Sequence, residues 1–191
     1  MALEHAILVS LAERSASGYD LARRFDASIG HFWRASHQQI YKVLGRMETD
    51  KLVESNLVAQ AGRPDKKVYA ITDDGRAELT TWLATPTPPE TLRSEFAVKL
   101  RAMHLGDRDV LLDQVRVRRK EHAAQLAAYD DSAAKFYPDP SNLTDEQVGP
   151  YLVLRGGMRA EAGAIEWCDE ILSHLGGGAG QRAALQEREA R

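Results

Sequence analysis

The sequence predicts a mainly helical protein with one small β-hairpin, built as short helices before a proline-rich linker and long helices after it. Three observations carry that expectation. Apolar residues recur at the 3.6-residue spacing of buried helix faces through most of the chain, and residues 52–71 abandon that period for Val, Ile, Tyr and Leu in strand-like runs. Residues 85–90, TPTPPE, place three prolines in four positions, which no helix continues. The expected divisions are an N-terminal domain over 1–84, a linker over 85–90, a helical domain over 91–176 and a flexible tail over 177–191.

With 191 residues and 43% hydrophobic content, the chain can bury a core unaided. Its net charge of -3, with eleven Lys+Arg against eleven Asp+Glu in residues 1–84, rules out a uniformly basic surface. Any basic footprint has to come from clustering on one face. The single Cys168 cannot close an internal disulfide, and Cys and His do not fall at zinc spacing. A reduced, cytoplasmic setting is expected. MALEHAILVSLAER lacks a basic leader and carries Glu4, and no apolar run reaches about 18 residues, so neither a signal peptide nor a membrane span is expected.

Leu3, Ile7, Leu8 and Leu11 place a first helix at about Ala2–Arg14. A second should begin near Ser17, carry Leu21, Phe25 and Ile29, and stop at Gly30, leaving Arg23 and Arg24 outward. The third, SHQQIYKVLGRMETDKL from Ser36 to Leu52, is the element around which the rest of the chain is organised. Ile40, Val43, Leu44 and Met47 form its buried stripe, while Gln38, Lys42, Gly45, Arg46 and Thr49 share the far side. Ser36 and Gln39 have the spacing of a reciprocal N-terminal cap. Gln and Arg read base edges in a DNA major groove, and glycine permits close approach, so this polar face is a candidate reading surface. An ordinary solvated helix face is the plain alternative.

LVESNLVAQ and KKVYAIT flank the turn chemistry of AGRPD and read as a hairpin, with Arg63, Lys66 and Lys67 at or beside its tip. A hairpin directly after such a helix is a wing, and its cations suit backbone phosphates. Thr72, Asp73 and Asp74 then start a fourth helix whose inner face is Leu79, Trp82 and Leu83.

GYDLARRF, FWRASHQQIYKVLGRMETDKLVES and GRPDKKVYAITDDGRAELTTWLA together resemble PadR-type transcriptional regulators over most of residues 18–84. The resemblance implies a winged helix-turn-helix N-terminal domain and a helical C-terminal domain that makes a homodimer. It implies a repressor released by a small aromatic effector, such as a phenolic acid or a drug-like compound. By resemblance, Ser36, Gln39, Tyr41 and Lys42 fall on DNA-facing positions and Arg63, Lys66 and Lys67 on the wing. The chain departs from the pattern at Lys42, where many members have Pro, and at Asp50-Lys51, which replaces a Gly-containing helix end.

After the linker, Leu92, Phe96, Leu100 and Met103 predict a helix ending near Gly106. Asp107 caps a long one carrying Val110, Leu111, Val115, Leu126, Tyr129 and Phe136, and Pro138 and Pro140 stop it. Thr144 and Gln147 repeat the cap spacing before a last helix carrying Tyr151, Leu152, Ile165, Trp167, Cys168, Ile171 and Leu175. Apolar residues on more than one face of long helices call for a partner surface. A two-fold dimer reading a palindromic operator in double-stranded DNA, its half-sites roughly 34 Å apart, is the expected assembly.

Phe96, Tyr151 and Trp167 are candidates to line an effector pocket, each being equally an ordinary core residue. The charge run Arg116–His122 reads as a solvated face, and Cys168 as core. Nucleophile, phosphate-loop and metal signatures are absent and His104, His122 and His174 are scattered, so neither catalysis nor a cofactor is expected. The competing functional class is a winged-helix module that binds protein without touching DNA, which the balanced charge favours.

Overall fold

The computed structural model describes residues 2–27, 35–60, 63–88 and 93–176, with Ala2, Asp26, Ala27, Gln60, Arg63 and Pro64 as backbone alone. The expected helix stop at Ile29 and Gly30, the turn residues Ala61 and Gly62, Leu92 and the tail after Gly176 lie outside the described residues. The chain divides into two compact units, Met1–Glu90 and Thr91–Arg191.

The first unit runs α1 (Ala2–Glu13), β1 (Ala16–Ser17), α2 (Gly18–Ala27), α3 (His37–Thr49), β2 (Val53–Gln60), β3 (Arg63–Ile71) and α4 (Asp73–Leu83). The stripes expected from sequence meet in one core: Ile7, Leu8, Leu21, Phe25, Ile40, Leu44 and Met47 are fully buried. Val43 is only partly buried and packs at the edge of this core. The wing strands pair antiparallel from Val53↔Ile71 to Gln60↔Arg63, with an irregularity between Val58 and Gln60. Strand β3 therefore begins at Arg63, inside the stretch expected to be turn.

The sequence gives no periodic signal for β1, because two residues are too few to show one. It pairs antiparallel with β3, Ser17 opposite Val68, and makes the sheet order β1-β3-β2. Ser17 serves twice, since its Oγ also accepts the Asp20 N–H at 3.1 Å and opens α2.

Thr72 caps α4 as expected, accepting the Gly75 N–H at 3.0 Å. Gly75 is buried against the Leu52 carbonyl, which any Cβ would strike. The outer half of α4 departs from expectation: Leu83 is 68% exposed, and Trp82 stacks on His5 at 4.6 Å with its far side open. Leu79 is the last of the three to pack on the core.

The second unit holds α5 (Glu95–Arg101), a short 3-10 turn (Met103–Leu105), α6 (Arg108–Phe136) and α7 (Asp145–Gly176). Asp107 caps α6 through the Asp109 and Val110 N–H groups at 2.8 and 3.4 Å. Helices α6 and α7 run antiparallel: Tyr129 packs on Gly157, His122 meets Glu161 at 2.5 Å, and Arg119 holds Asp169 in a two-pronged pair. Phe96, Leu111, Val115, Cys168 and Ile171 form the core. Val110, Phe136, Leu152 and Trp167, expected among the apolar faces, are exposed in the single chain. The charge run is largely spent internally, Arg116 on Asp113, Arg118 over the Phe96 ring at 4.3 Å and Arg119 on Asp169. Among the described residues no helix is long and apolar enough to cross a membrane, and no group of three or more His, Cys, Asp or Glu is placed to hold a metal.

Candidate nucleic-acid interface

The start of α3 is fixed by a complete reciprocal cap. Ser36 Oγ accepts the Gln39 N–H at 3.2 Å, and Gln39 Oε1 accepts the Ser36 N–H at 2.9 Å. Both residues are exposed, but these oxygens order the helix entry.

The end of α3 is an equally defined stop. The Leu52 N–H reaches the Met47 carbonyl at 2.9 Å and the Lys51 N–H reaches Glu48 at 3.2 Å, which requires a left-handed residue between them. Lys51 supplies it at φ 59° although it is not glycine.

Between these ends, Gln38, Tyr41, Lys42, Gly45, Arg46 and Thr49 all face outward while Ile40, Leu44 and Met47 face the core. Their chemistry differs. Arg46 donates to Glu4 of α1, and Thr49 Oγ1 donates to its own helix at the Gly45 carbonyl, 3.0 Å away. Gln38 and Lys42 have no intramolecular polar partner among the described residues. The Tyr41 ring lies directly on the backbone of Gly18, where a Cβ would collide with it. Glycine there lets α2 come within ring contact of the outward face of α3.

The wing is tied to the helices by charge. Lys66 pairs with Asp20 of α2 at 2.5 Å, and Lys67 with Glu48 of α3 at 2.8 Å. Glu48 also accepts the Ser55 hydroxyl from β2 at 2.5 Å. The hydrogen bonds from Lys66 and then Ser17 hold the Asp20 carboxyl below its ordinary value, and those from Lys67 and Ser55 do the same for Glu48. Lys67 is raised in return by Glu48. Sequence reasoning found these cations but not their carboxylate partners, which lie on other elements. The Arg63 side chain is outside the described residues.

The three aromatic candidates for an effector pocket do not come together within one chain. Phe96 is buried and meets Trp167 edge-on at 5.6 Å, whereas Tyr151 tilts onto Tyr137 at 5.4 Å. Sixteen residues of α7 separate Tyr151 from Trp167, roughly 24 Å at the helical rise.

Residues 7–81 match the transcriptional regulator PadR-like family, and residues 92–176 match the virulence activator alpha C-terminal family. A protein named "Probable transcriptional regulator Rv1176c", from Mycobacterium tuberculosis, is 49% identical over 185 residues, covering 92% of this chain and 98% of its own. The negative transcriptional regulator PadR of Bacillus subtilis is 31% identical over 178 residues, covering 91% of this chain and 97% of its own. Its crystal structure in complex with operator DNA matches at TM-score 0.81 and 30% identity, over 92% of this chain and 99% of that one. Its complex with p-coumaric acid matches at TM-score 0.76, with the same identity and coverage. The virulence activator AphA of Vibrio cholerae matches at TM-score 0.75 and 35% identity, over 92% of this chain and 98% of that one. A winged four-helix unit, a helical second unit and relatives this similar over nearly their whole length lead to one conclusion: the chain belongs to the PadR family of transcriptional regulators.

Proposed function

We propose that the protein is a dimeric repressor that reads a palindromic DNA operator with α3 and steadies itself on the backbone with its wing. The observation that carries this reading is the outward face of α3, capped at both ends and polar along its length, with Gln38 and Lys42 unpartnered among the described residues. The operator complex of the Bacillus subtilis relative supports it.

In this reading Gln38 and Lys42 meet base edges. Arg46 either leaves Glu4 for a base or phosphate, or stays as a strut that fixes the helix on α1. Lys66 and Lys67 exchange carboxylates for phosphates, a swap between anions that costs less than stripping bare cations of water. The p-coumaric acid complex of the same relative supports a small aromatic acid as the releasing effector, with Phe96 and Trp167 together as one candidate site and Tyr151 as a separate one. Such a ligand releases the operator only through different affinities for two states of the dimer.

Binding to duplex DNA from upstream of the protein's own coding region, followed across salt concentration, tests the reading. A DNA binder gives a steep linear fall of log K against log salt, and a protein-interaction module does not. Arg46→Ala should lower affinity by about tenfold with relaxed base preference, and Lys66→Ala should weaken all sequences alike and flatten the salt slope by about one. Both variants binding as wild type would sink the site assignment. For the effector, a panel of phenolic acids should shift both intrinsic fluorescence and DNA affinity; neither moving removes this effector class.

A further inference from the structure

A cavity of about 530 Å³ opens where the end of α1, strand β1, the first turns of α2 and strand β3 meet. Arg14, Arg23, Arg24 and Lys66 line it against one carboxylate, Asp20. Residues 1–84 hold as many cations as carboxylates in all, so the excess gathered in this cleft is local, and the remainder of the unit is net acidic.

The lining residues are not equivalent. Asp20 is already spent, accepting from Lys66 at 2.5 Å and from Ser17 Oγ at 2.8 Å. Arg24 donates to the Arg14 carbonyl at 2.8 Å, which holds its guanidinium at the mouth of the α1–β1 turn and within the field of Glu13. Arg14 and Arg23 have no carboxylate partner among the described residues, and Arg23 lies 5.9 Å over the Tyr19 ring. Two guanidinium forks without carboxylates among the described residues, beside a third and an ammonium, supply the charge-assisted donors that a phosphate group takes.

The cleft also stands next to the reading surface. The Gly18–Tyr41 contact brings the first turn of α2 against the outward face of α3, and Asp20–Lys66 ties that same turn to the wing.

We propose that this cleft is a phosphate-binding site in which Arg14 and Arg23 grip the anion while Arg24 and Lys66 add charge. Its occupant is a backbone phosphate of DNA beside the bases under α3, or the phosphate of a small molecule; the first source rests on the DNA-binding reading above, and the second does not.

Full-length wild type and an Arg14→Gln/Arg23→Gln variant are compared in two measurements. The first titrates inorganic pyrophosphate while following the arginine Nε–H resonances. The second measures the salt dependence of binding to the upstream duplex. Pyrophosphate should move the Arg14 and Arg23 signals of wild type, and the variant should not bind it. A DNA slope smaller by about one or two in the variant then assigns the site to the DNA backbone. An unchanged slope, with pyrophosphate bound by wild type and lost in the variant, assigns it to a small phosphorylated ligand, and pyrophosphate bound equally by the variant overturns the site. Pyrophosphate leaving both arginines unmoved overturns the site whatever the slope does. Should wild type fail to bind DNA at all, the repressor reading fails and the pyrophosphate titration still decides the cleft.

Discussion

Lys51 shows how one residue carries both the fold and a departure from the family pattern. The backbone at the end of α3 must turn left-handed to satisfy the Met47 and Glu48 carbonyls, and glycine meets that need without steric cost. Lysine at φ 59° meets it at roughly 1–2 kcal/mol. The sequence pattern carries the helix on to Leu52, where strand-like residues begin, whereas α3 ends at Thr49, because nothing local in Asp50-Lys51 signals a left-handed turn. The Lys51 carbonyl also accepts the Thr72 hydroxyl at 2.7 Å, so the turn is locked to the start of α4 and cannot relax by unwinding. Lys51→Gly should therefore stabilise the first unit by about 0.5–1 kcal/mol, net of the extra freedom glycine gains when unfolded. Urea denaturation checks it, and an equal or lower midpoint would show that the left-handed turn is not strained.

At the scale of elements, the helices were legible because their burial is periodic, and the caps because Ser36, Thr72 and Asp107 bond within three residues of themselves. Strand β1 and the ion pairs were not legible. Arg46 and Glu4 are 42 residues apart, and Lys67 and Glu48 are 19 apart, so nothing local announces either pairing. Lys67–Glu48, with Lys66–Asp20, holds the wing, and Arg46–Glu4 ties α3 to α1.

Asp20 and Glu48 titrate below their ordinary values of 3.8 and 4.5, so their contribution is complete above those values and is lost as pH falls through the lowered ones. Lys67 is raised above 10.5, so its contribution is complete below that value and is lost as pH rises through the raised one. The wing should accordingly keep one position from about pH 5 to about pH 10 and loosen in acid. Carboxyl carbon titrations should give Asp20 a value below 3.8 that returns towards it in Lys66→Met. A wild-type Asp20 titrating at 3.8 or higher would remove the Lys66 clamp.

At the scale of the whole molecule, the outer face of α7 is left uncovered by the described residues of its own chain. Gly149, Val153, Gly156, Ala160, Gly163 and Trp167 recur at alternating steps of four and three, and every one of them is exposed. A Cβ built on Gly149, Gly156 or Gly163 meets nothing within 4 Å, whereas Gly157, one residue from Gly156, faces the Tyr129 ring of α6. The helix thus separates its glycines: one side fits its own chain, and the other offers a smooth strip with Val153 51% and Trp167 41% exposed. Two interleaved series at seven-residue steps, Gly149, Gly156 and Gly163 with Val153, Ala160 and Trp167, make the repeat of a helix crossing at a shallow angle, and small residues permit close axes. We take the occupant to be α7 of a second copy, because the same strip on both chains is self-complementary about a two-fold axis. Gly163→Leu tests this cleanly. Within one chain the new side chain enters open space and exchanges glycine for a better helix former, worth about 0.8–1 kcal/mol, so the monomer fold should hold or gain. Across the strip it should force the helices apart. Sedimentation should then show the mass halved at micromolar concentration, and DNA affinity should fall by about a hundredfold as the two reading helices lose their tether. Wild-type mass and affinity in Gly163→Leu would mean that α7 packs against something other than its own copy.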